Sequence, residues 1–255
     1  MSHISYSELK DWVFCAFYHK LTRVDKLSGF KGNEYTAFGS AMHSICEKKL
    51  LQEDVADDFF VHEFEKNLAS LDDDIDINQK LIYDMMGQGK NIIPEIKDAL
   101  DNYFEKDYEV LFVEMPLMEP IEGEDDYNFK GYIDAVVMTP HDKKIHIFDW
   151  KTCSWGWDAR KKNDKMVTYQ LTLYKHFFAQ KLDIDPNEIE THFALLKRTA
   201  KYNRVEFFRV TSGPKKTQNA LKLLSKALYN IKNKRHIKNR LSCRNCNFRH
   251  TKHCP

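Results

Sequence analysis

Residues 131–151 constrain the fold of this chain more than any other stretch. They read GYIDAVVM, then the polar turn Pro140-His141-Asp142-Lys143, then KKIHIFDWK. Two runs rich in β-branched and apolar residues around a short polar turn predict two neighbouring strands. Strand alternation sends Asp149 and Lys151 to one side and Trp150 to the other. Asp134 sits on the adjoining strand. Two carboxylates in such a place can hold a hard divalent cation. A lysine beside them can orient or help deprotonate a water and offset charge on a phosphate. The chemistry this set suits is metal-assisted cleavage of a phosphodiester.

Around this pair, periodicity predicts further strands at 109–118, 190–197 and 204–210. Helices are expected at 5–18, 36–51, 77–106, 163–181 and 217–235. Phe38, Met42, Ile45 and Leu50 form an apolar stripe on the second of these, as do Leu221, Leu224, Leu228 and Ile231 on the last. Asn163 or Asp164 is the expected cap of the helix after the strand pair. Residues 52–76 are acidic, and Asp72-Asp73-Asp74 marks a break. The order is that of an α/β core with a helical lobe before it.

Hydrophobic residues make up 42% of the 255 and charged residues 30%, which fits a soluble globular protein. No apolar run is long enough to span a bilayer. The opening MSHISYSELKDW lacks a signal pattern. The expectation is a cytoplasmic, reducing location, bacterial or in the host cytoplasm if phage-encoded, with no membrane partner. Six cysteines are then thiols or metal ligands rather than disulfides. The net charge of +1 hides an asymmetry: residues 197–255 hold 17 Lys or Arg and one acid, Glu206, against 22 basic and 37 acidic residues elsewhere. A basic quarter on a nearly neutral chain points to a polyanion, although a charge run is also often a solvated face.

Taken singly, the candidate residues are weak signals. A D-x-K triplet occurs often by chance, Glu114 can be an exposed strand residue, and His43 can be a satisfied core histidine. Gln170 and Tyr174 share a helix face by their spacing. In order, however, the chain gives Gly39-x-x-x-His43, Glu114-x-Pro116, Gly131-x-x-Asp134, Asp149-x-Lys151 and Gln170-x-x-x-Tyr174. This series resembles the RecB-like branch of the PD-(D/E)XK nuclease superfamily, which includes CRISPR-adaptation nucleases and phage exonucleases.

The resemblance implies a restriction-endonuclease-like core with a mixed central sheet flanked by helices. It would form a single domain over 1–255: a helical lobe at about 44–106, the nuclease core at about 107–212, and a basic helix and cysteine cluster at about 213–255. Asp134 and Asp149 would ligate Mg²⁺ or Mn²⁺, with the Trp150 carbonyl as a further ligand. His43 would be an additional ligand, one that favours Mn²⁺ because imidazole suits softer ions. Lys151 would position and activate water, and Glu114 would be an acid of the metal or its water shell. Gln170 and Tyr174 would hold the DNA strand or orient Lys151. The loop after Lys151 carries Trp155, Trp157, Arg160, Lys161, Lys162 and Lys165. Aromatics interleaved with cations suit a single-stranded nucleic-acid track, with Lys161 and Lys162 on the phosphates. For each tryptophan, packing against the core is the competing reading.

Cys243-x-x-Cys246, then Cys254, lie far in sequence from Cys15. Three cysteines so close together in a chain expected to be cytosolic suggest a metal. Many relatives of the family carry a [4Fe–4S] cluster on one cysteine before the core and three after it. The resemblance therefore implies a cluster on Cys15, Cys243, Cys246 and Cys254 that staples the termini. Two departures stand against it: Ala16 replaces the usual proline, and seven residues separate Cys246 from Cys254. His250 and His253 within that gap keep a Zn²⁺ site as the alternative. Cys46 and Cys153 are expected to be inert buried thiols.

The resulting expectation is a metal-dependent DNA nuclease, an exonuclease on DNA ends or single strands, in recombination, repair or phage DNA processing. A helicase or recombination protein is an expected partner, since the sequence has no G-x-x-x-x-G-K-[ST] motor motif. The alternatives are a catalytically inactive nucleic-acid-binding module with a structural metal site, and a metal-binding structural or redox protein.

Overall fold

The strand pair expected at 131–151 forms the middle of a mixed sheet. The structure is a computed structural model that describes residues 2–56, 58–72 and 74–255. In chain order the elements are β1 (Ser2–Ser5), α1 (Tyr6–Phe14), α2 (Ala16–His19), a π-helical turn (Lys20–Val24), α3 (Glu34–Leu50), α4 (Phe59–Ala69), α5 (Gln79–Tyr103), β2 (Glu109–Ile121), β3 (Glu124–Thr139), β4 (Lys144–Cys153), α6 (Ala159–Lys162), α7 (Lys165–Leu182), β5 (Ile189–Lys197), β6 (Val205–Val210), α8 (Pro214–Lys232) and a 3₁₀ turn (Arg240–Asn245). They fall into two compact units. One comprises 32–116 and 132–212, and the other the described residues up to 31 with 117–131 and 213–255.

In the larger unit, the second half of β3 pairs antiparallel with β4, from Ala135 opposite Phe148 to Thr139 opposite Lys144. β4 runs parallel to β5, and β5 pairs antiparallel with β6. The centre of β4 is buried on both faces, as a strand between two others under helices must be. One face carries Phe148 and Trp150 into a core with Phe38 and Met42 of α3, Phe60 and Phe64 of α4, and Ile92 and Ile96 of α5. Each such side chain contributes about 1.5–3 kcal/mol on burial. α7 packs against β4 and β5. Asn33 caps α3 in a reciprocal box with Thr36. Of the two expected caps of α7, Asp164 is the one that accepts from the Met166 N–H.

One helix of this unit was not foreseen. The acidic stretch 52–76 contains α4, because Phe60, Phe64 and Leu68 recur every four residues and bury one stripe while the acids point out. The ring of Phe38 packs edge-on against both phenylalanines. Of the predicted break, Asp72 and Asp74 lie between α4 and α5; Asp73 lies outside the described residues.

In the smaller unit, β1 runs parallel to the first half of β3, Ser2 opposite Tyr127 through Ser5 opposite Lys130. This short strand also was not expected. The Ser5 hydroxyl accepts from the Glu8 N–H and so starts α1. The single helix expected at 5–18 breaks at Cys15, whose backbone is extended. Gly123, at φ +76°, turns β2 into β3. α8 begins earlier than its apolar stripe suggested because Pro214 suits a first turn. It buries Ala220, Leu224, Ala227 and Leu228.

Candidate active site

Where the β3–β4 ladder runs out, side chains take over from backbone pairing. Asp134 lies one residue before the first paired residue of β3, and its Oδ2 accepts the Trp150 N–H at 2.7 Å. Trp150 turns its indole into the core, as alternation requires, so Asp149 and Lys151 share the opposite face of β4. The Lys151 ammonium pairs with Asp149 Oδ2. Gln170, on α7, donates to Asp149 Oδ1 at 2.6 Å, and its amide is 3.4 Å from the Tyr174 hydroxyl one turn on. Both oxygens of Asp149 are thus held, one by a cation and one by an amide. Gln170 contacts Asp149 rather than Lys151.

His43 reaches the same place from α3. Its Nε2 lies 3.0 Å from the Trp150 carbonyl oxygen, and its Nδ1 lies 3.6 Å from Asp134 Oδ2. A carbonyl only accepts, so Nε2 carries the proton and the Nδ1 lone pair faces Asp134. Glu114 comes from β2. Its backbone sits at φ +49°, the left-handed region, which for a non-glycine residue in a strand costs of order 1–3 kcal/mol and marks a local departure from the pleat. The burial alternation of β2 is lost around it. Ligand atoms of His43, Glu114 and Asp134 lie within 4.8 Å of one another.

The electrostatics describe a site with surplus negative charge. Burial, then the charge of Asp149, pushes the Asp134 carboxyl well above the usual range. Burial also raises Glu114, with Glu47 and Asp149 adding to it. Burial lowers His43, which keeps its imidazole neutral and able to ligate. Lys151 is the cation among these groups. The donor set fits a divalent ion: buried carboxylates, a neutral imidazole and a backbone carbonyl. A shift of the Nε2 proton to Nδ1, beside Asp134, would free Nε2 to ligate.

The loop after β4 divides its tryptophans. Trp157 packs edge-on against Phe193 and Phe208, with Lys161 stacked over it at 4.6 Å. Trp155 is 74% exposed. Lys162 pairs with Glu206 at 2.5 Å. The β5–β6 turn is tied to this loop: Thr199 donates its N–H to the Ser154 carbonyl at 3.0 Å, and Arg198 its N–H to that of Cys153 at 2.8 Å. Arg198 also reaches Ser154 Oγ and Gln88, and its guanidinium lies 4.8 Å from the Tyr35 ring. This tie brings Tyr202, also 74% exposed, onto a turn joined to the Trp155 loop. In the sequence, Arg198 is one more basic residue, and nothing about its neighbours reveals the contacts.

The four cysteines of the expected cluster occupy the other unit, where they line one small, partly open pocket with Phe14, Phe17, Tyr18 and Phe248. The Asn239 N–H points at the Cys15 sulfur at 3.2 Å. His250 and His253 do not line this cavity. Burial raises the thiols of Cys46 and Cys153, which suits inert groups.

A sequence profile of the PD-(D/E)XK nuclease superfamily matches residues 3–254. A search of curated proteins gives no match. The fold is similar to that of a "putative exonuclease" from Eubacterium rectale, at a TM-score of 0.60 and 15% identity, over 92% of this chain and 82% of that one. The mixed sheet flanked by helices is therefore the restriction-endonuclease-like fold.

Proposed function

We propose that this chain, which belongs to the PD-(D/E)XK nuclease superfamily, is a divalent-metal-dependent deoxyribonuclease that works on DNA ends or single strands. The observation that carries this reading is the meeting of Asp134, His43 and the Asp149–Lys151 pair at the end of the β3–β4 ladder. Asp134, Asp149, His43 and the Trp150 carbonyl hold Mg²⁺ or Mn²⁺, with the imidazole favouring Mn²⁺, and Glu114 completes the shell directly or through water. A cation held there neutralises charge on the phosphate and acidifies a water. Lys151 orients that water and offsets charge on the phosphoryl oxygens, while Asp149 holds the ammonium in place. Gln170 fixes the Asp149 carboxylate, Tyr174 supports Gln170, and both face the DNA strand.

Trp155 and Tyr202 offer exposed faces on joined turns, which suits stacking of unpaired bases. Lys161, and Lys162 on leaving Glu206, meet phosphates. Such an activity belongs in recombination, repair or phage DNA processing, beside a helicase or recombination protein. The test is digestion of end-labelled single- and double-stranded DNA with Mg²⁺, Mn²⁺ or EDTA. Shortening with either metal and none with EDTA is expected; DNA left intact under every condition contradicts the reading.

We also propose a [4Fe–4S] cluster on Cys15, Cys243, Cys246 and Cys254, whose side chains line one pocket. Tetrahedral Zn²⁺ with bonds of about 2.3 Å brings thiolates to about 3.8 Å from one another. Among the described residues, no three of these sulfurs lie within 4.8 Å of each other. Iron and acid-labile sulfide in protein purified without oxygen, lost in Cys243→Ser, are the expected result. Zinc in their place returns the site to the alternative.

A further inference from the structure

A second group of ligand-type side chains meets on the sheet face opposite Asp149 and Lys151. His146 of β4, with Glu190 and His192 of β5, brings its ligand atoms within 4.8 Å of theirs. Register builds this group. The parallel β4–β5 pairing sets His146 beside Glu190 and Phe148 beside His192, and alternation places His146 with Phe148 and Trp150. His146 Nδ1 is 3.1 Å from His192 Nε2 and 3.9 Å from Glu190 Oε2. The other oxygen of Glu190 takes Arg209 at 2.7 Å, which leaves Oε2 on the histidine side.

The outer hydrogen bonds fix what the rings present inward. The Thr139 hydroxyl gives its proton to Asp142. Toward His146 Nε2, 3.0 Å away, it can therefore only accept. His146 carries its proton on Nε2 and aims the Nδ1 lone pair at His192. His192 Nδ1 lies 2.9 Å from the Tyr103 hydroxyl, which can donate or accept. If that hydroxyl accepts, the proton of His192 moves to Nδ1 and Nε2 also presents a lone pair inward. The shift is tautomeric and releases no net proton. Histidines anchored through their outer nitrogens in this way are the usual form of metal ligands. Burial lowers both imidazoles, His192 to about 3, so neutral rings prevail near pH 7.

We infer that His146 Nδ1, His192 Nε2 and Glu190 Oε2 form a zinc site that clips the start of β4 to β5, separate from the carboxylate site. Tetrahedral Zn²⁺ with bonds of about 2.0–2.1 Å sets two nitrogens about 3.3 Å apart, a few tenths of an ångström from their separation here. Glu190 closes the third side by a rotamer change, and water takes the fourth position.

The test strips the full chain with EDTA, dialyses it against Zn²⁺ and measures bound metal. Wild type is expected to hold about one equivalent more than His146→Gln, and Glu190→Gln to bind that equivalent about tenfold more weakly or worse. Cys243→Ser and Asp149→Asn are expected to keep it. Equal zinc in wild type and His146→Gln overturns the inference. Because a buried histidine variant can misfold, zinc-soaked crystals of the unaltered chain give a second reading. An anomalous peak between His146 and His192 supports the site, and its absence overturns it.

Discussion

At the carboxylate site, the ligand-type side chains ride on β2, β3, β4 and the long helix α3, whereas at the cysteine cavity the thiols sit where regular structure stops. Cys15 is the extended residue between α1 and α2, Cys243 lies in a 3₁₀ turn, Cys246 is the extended residue that ends it, and Cys254 forms a single bridge with Thr251. The burial differs in the same sense. Beside Asp149, Phe148 and Trp150 are fully enclosed. Among the described residues after α8, Phe248 is the buried hydrophobic side chain. The first site is set by strand register and a packed core, so a metal there serves chemistry. The second has little core of its own, and under the proposed reading a metal there would supply the order that packing does not.

The largest effect that could break this contrast is on activity. Asp149→Asn keeps an oxygen for Gln170 but removes a charge beside buried Asp134. Cleavage is expected to fall by roughly 10³-fold or more, as for loss of a metal ligand with its water-activating role. The thermal midpoint is expected to change little, because relief of the charge beside Asp134 offsets loss of the Lys151 ion pair. A parallel loss of activity and stability would mean the site is a structural one. Next comes Cys246→Ser. Loss of a folding-coupled metal costs several kcal/mol, so the region after α8 should become open to limited proteolysis, with a lower midpoint by calorimetry. An unchanged digestion pattern would show that this region orders itself without the metal.

A smaller effect concerns substrate. Trp155→Ala is expected to weaken single-stranded DNA binding by about 1–3 kcal/mol, or roughly 5- to 150-fold, and to leave duplex binding almost unchanged in fluorescence titrations. Equal losses for both forms would assign the indole to general phosphate affinity. The smallest effect probes the packing behind the carboxylate site. A Cβ at Gly89 of α5 would come within 2.2 Å of the Phe60 ring. Gly89→Ala therefore overpacks a filled core at about 1–3 kcal/mol, partly offset by roughly 1 kcal/mol of helix propensity. Urea melts should show a net loss; a gain would mean this core yields easily.

The strand pair and the Asp149–Lys151 face were legible in sequence because alternation is local: two residues decide which side a carboxylate takes. Asp164 as cap, and Leu224 and Leu228 of the α8 stripe, were legible for the same reason, whereas Leu221 and Ile231 are only partly buried and Ala220 and Ala227 take the buried places. What the sequence could not disclose depends on distant partners. Glu114 looks like a strand residue until its left-handed backbone is seen. The acids around α4 mask a four-residue apolar repeat. Trp155 and Trp157 are alike on paper, yet one packs against Phe193 and the other faces solvent. His146 and His192 are 46 residues apart, and only the β4–β5 register makes them neighbours.

The central claim is that the Asp149–Lys151 pair on β4 serves phosphodiester hydrolysis. The most direct measurement is the cleavage rate of end-labelled DNA by wild type and Lys151→Ala, each with Mg²⁺ and with Mn²⁺, alongside DNA affinity in EDTA. The account predicts metal-dependent cleavage by wild type, a loss of roughly 10²- to 10⁴-fold in the variant, and similar DNA affinity for both. Cleavage by Lys151→Ala at the wild-type rate would contradict it.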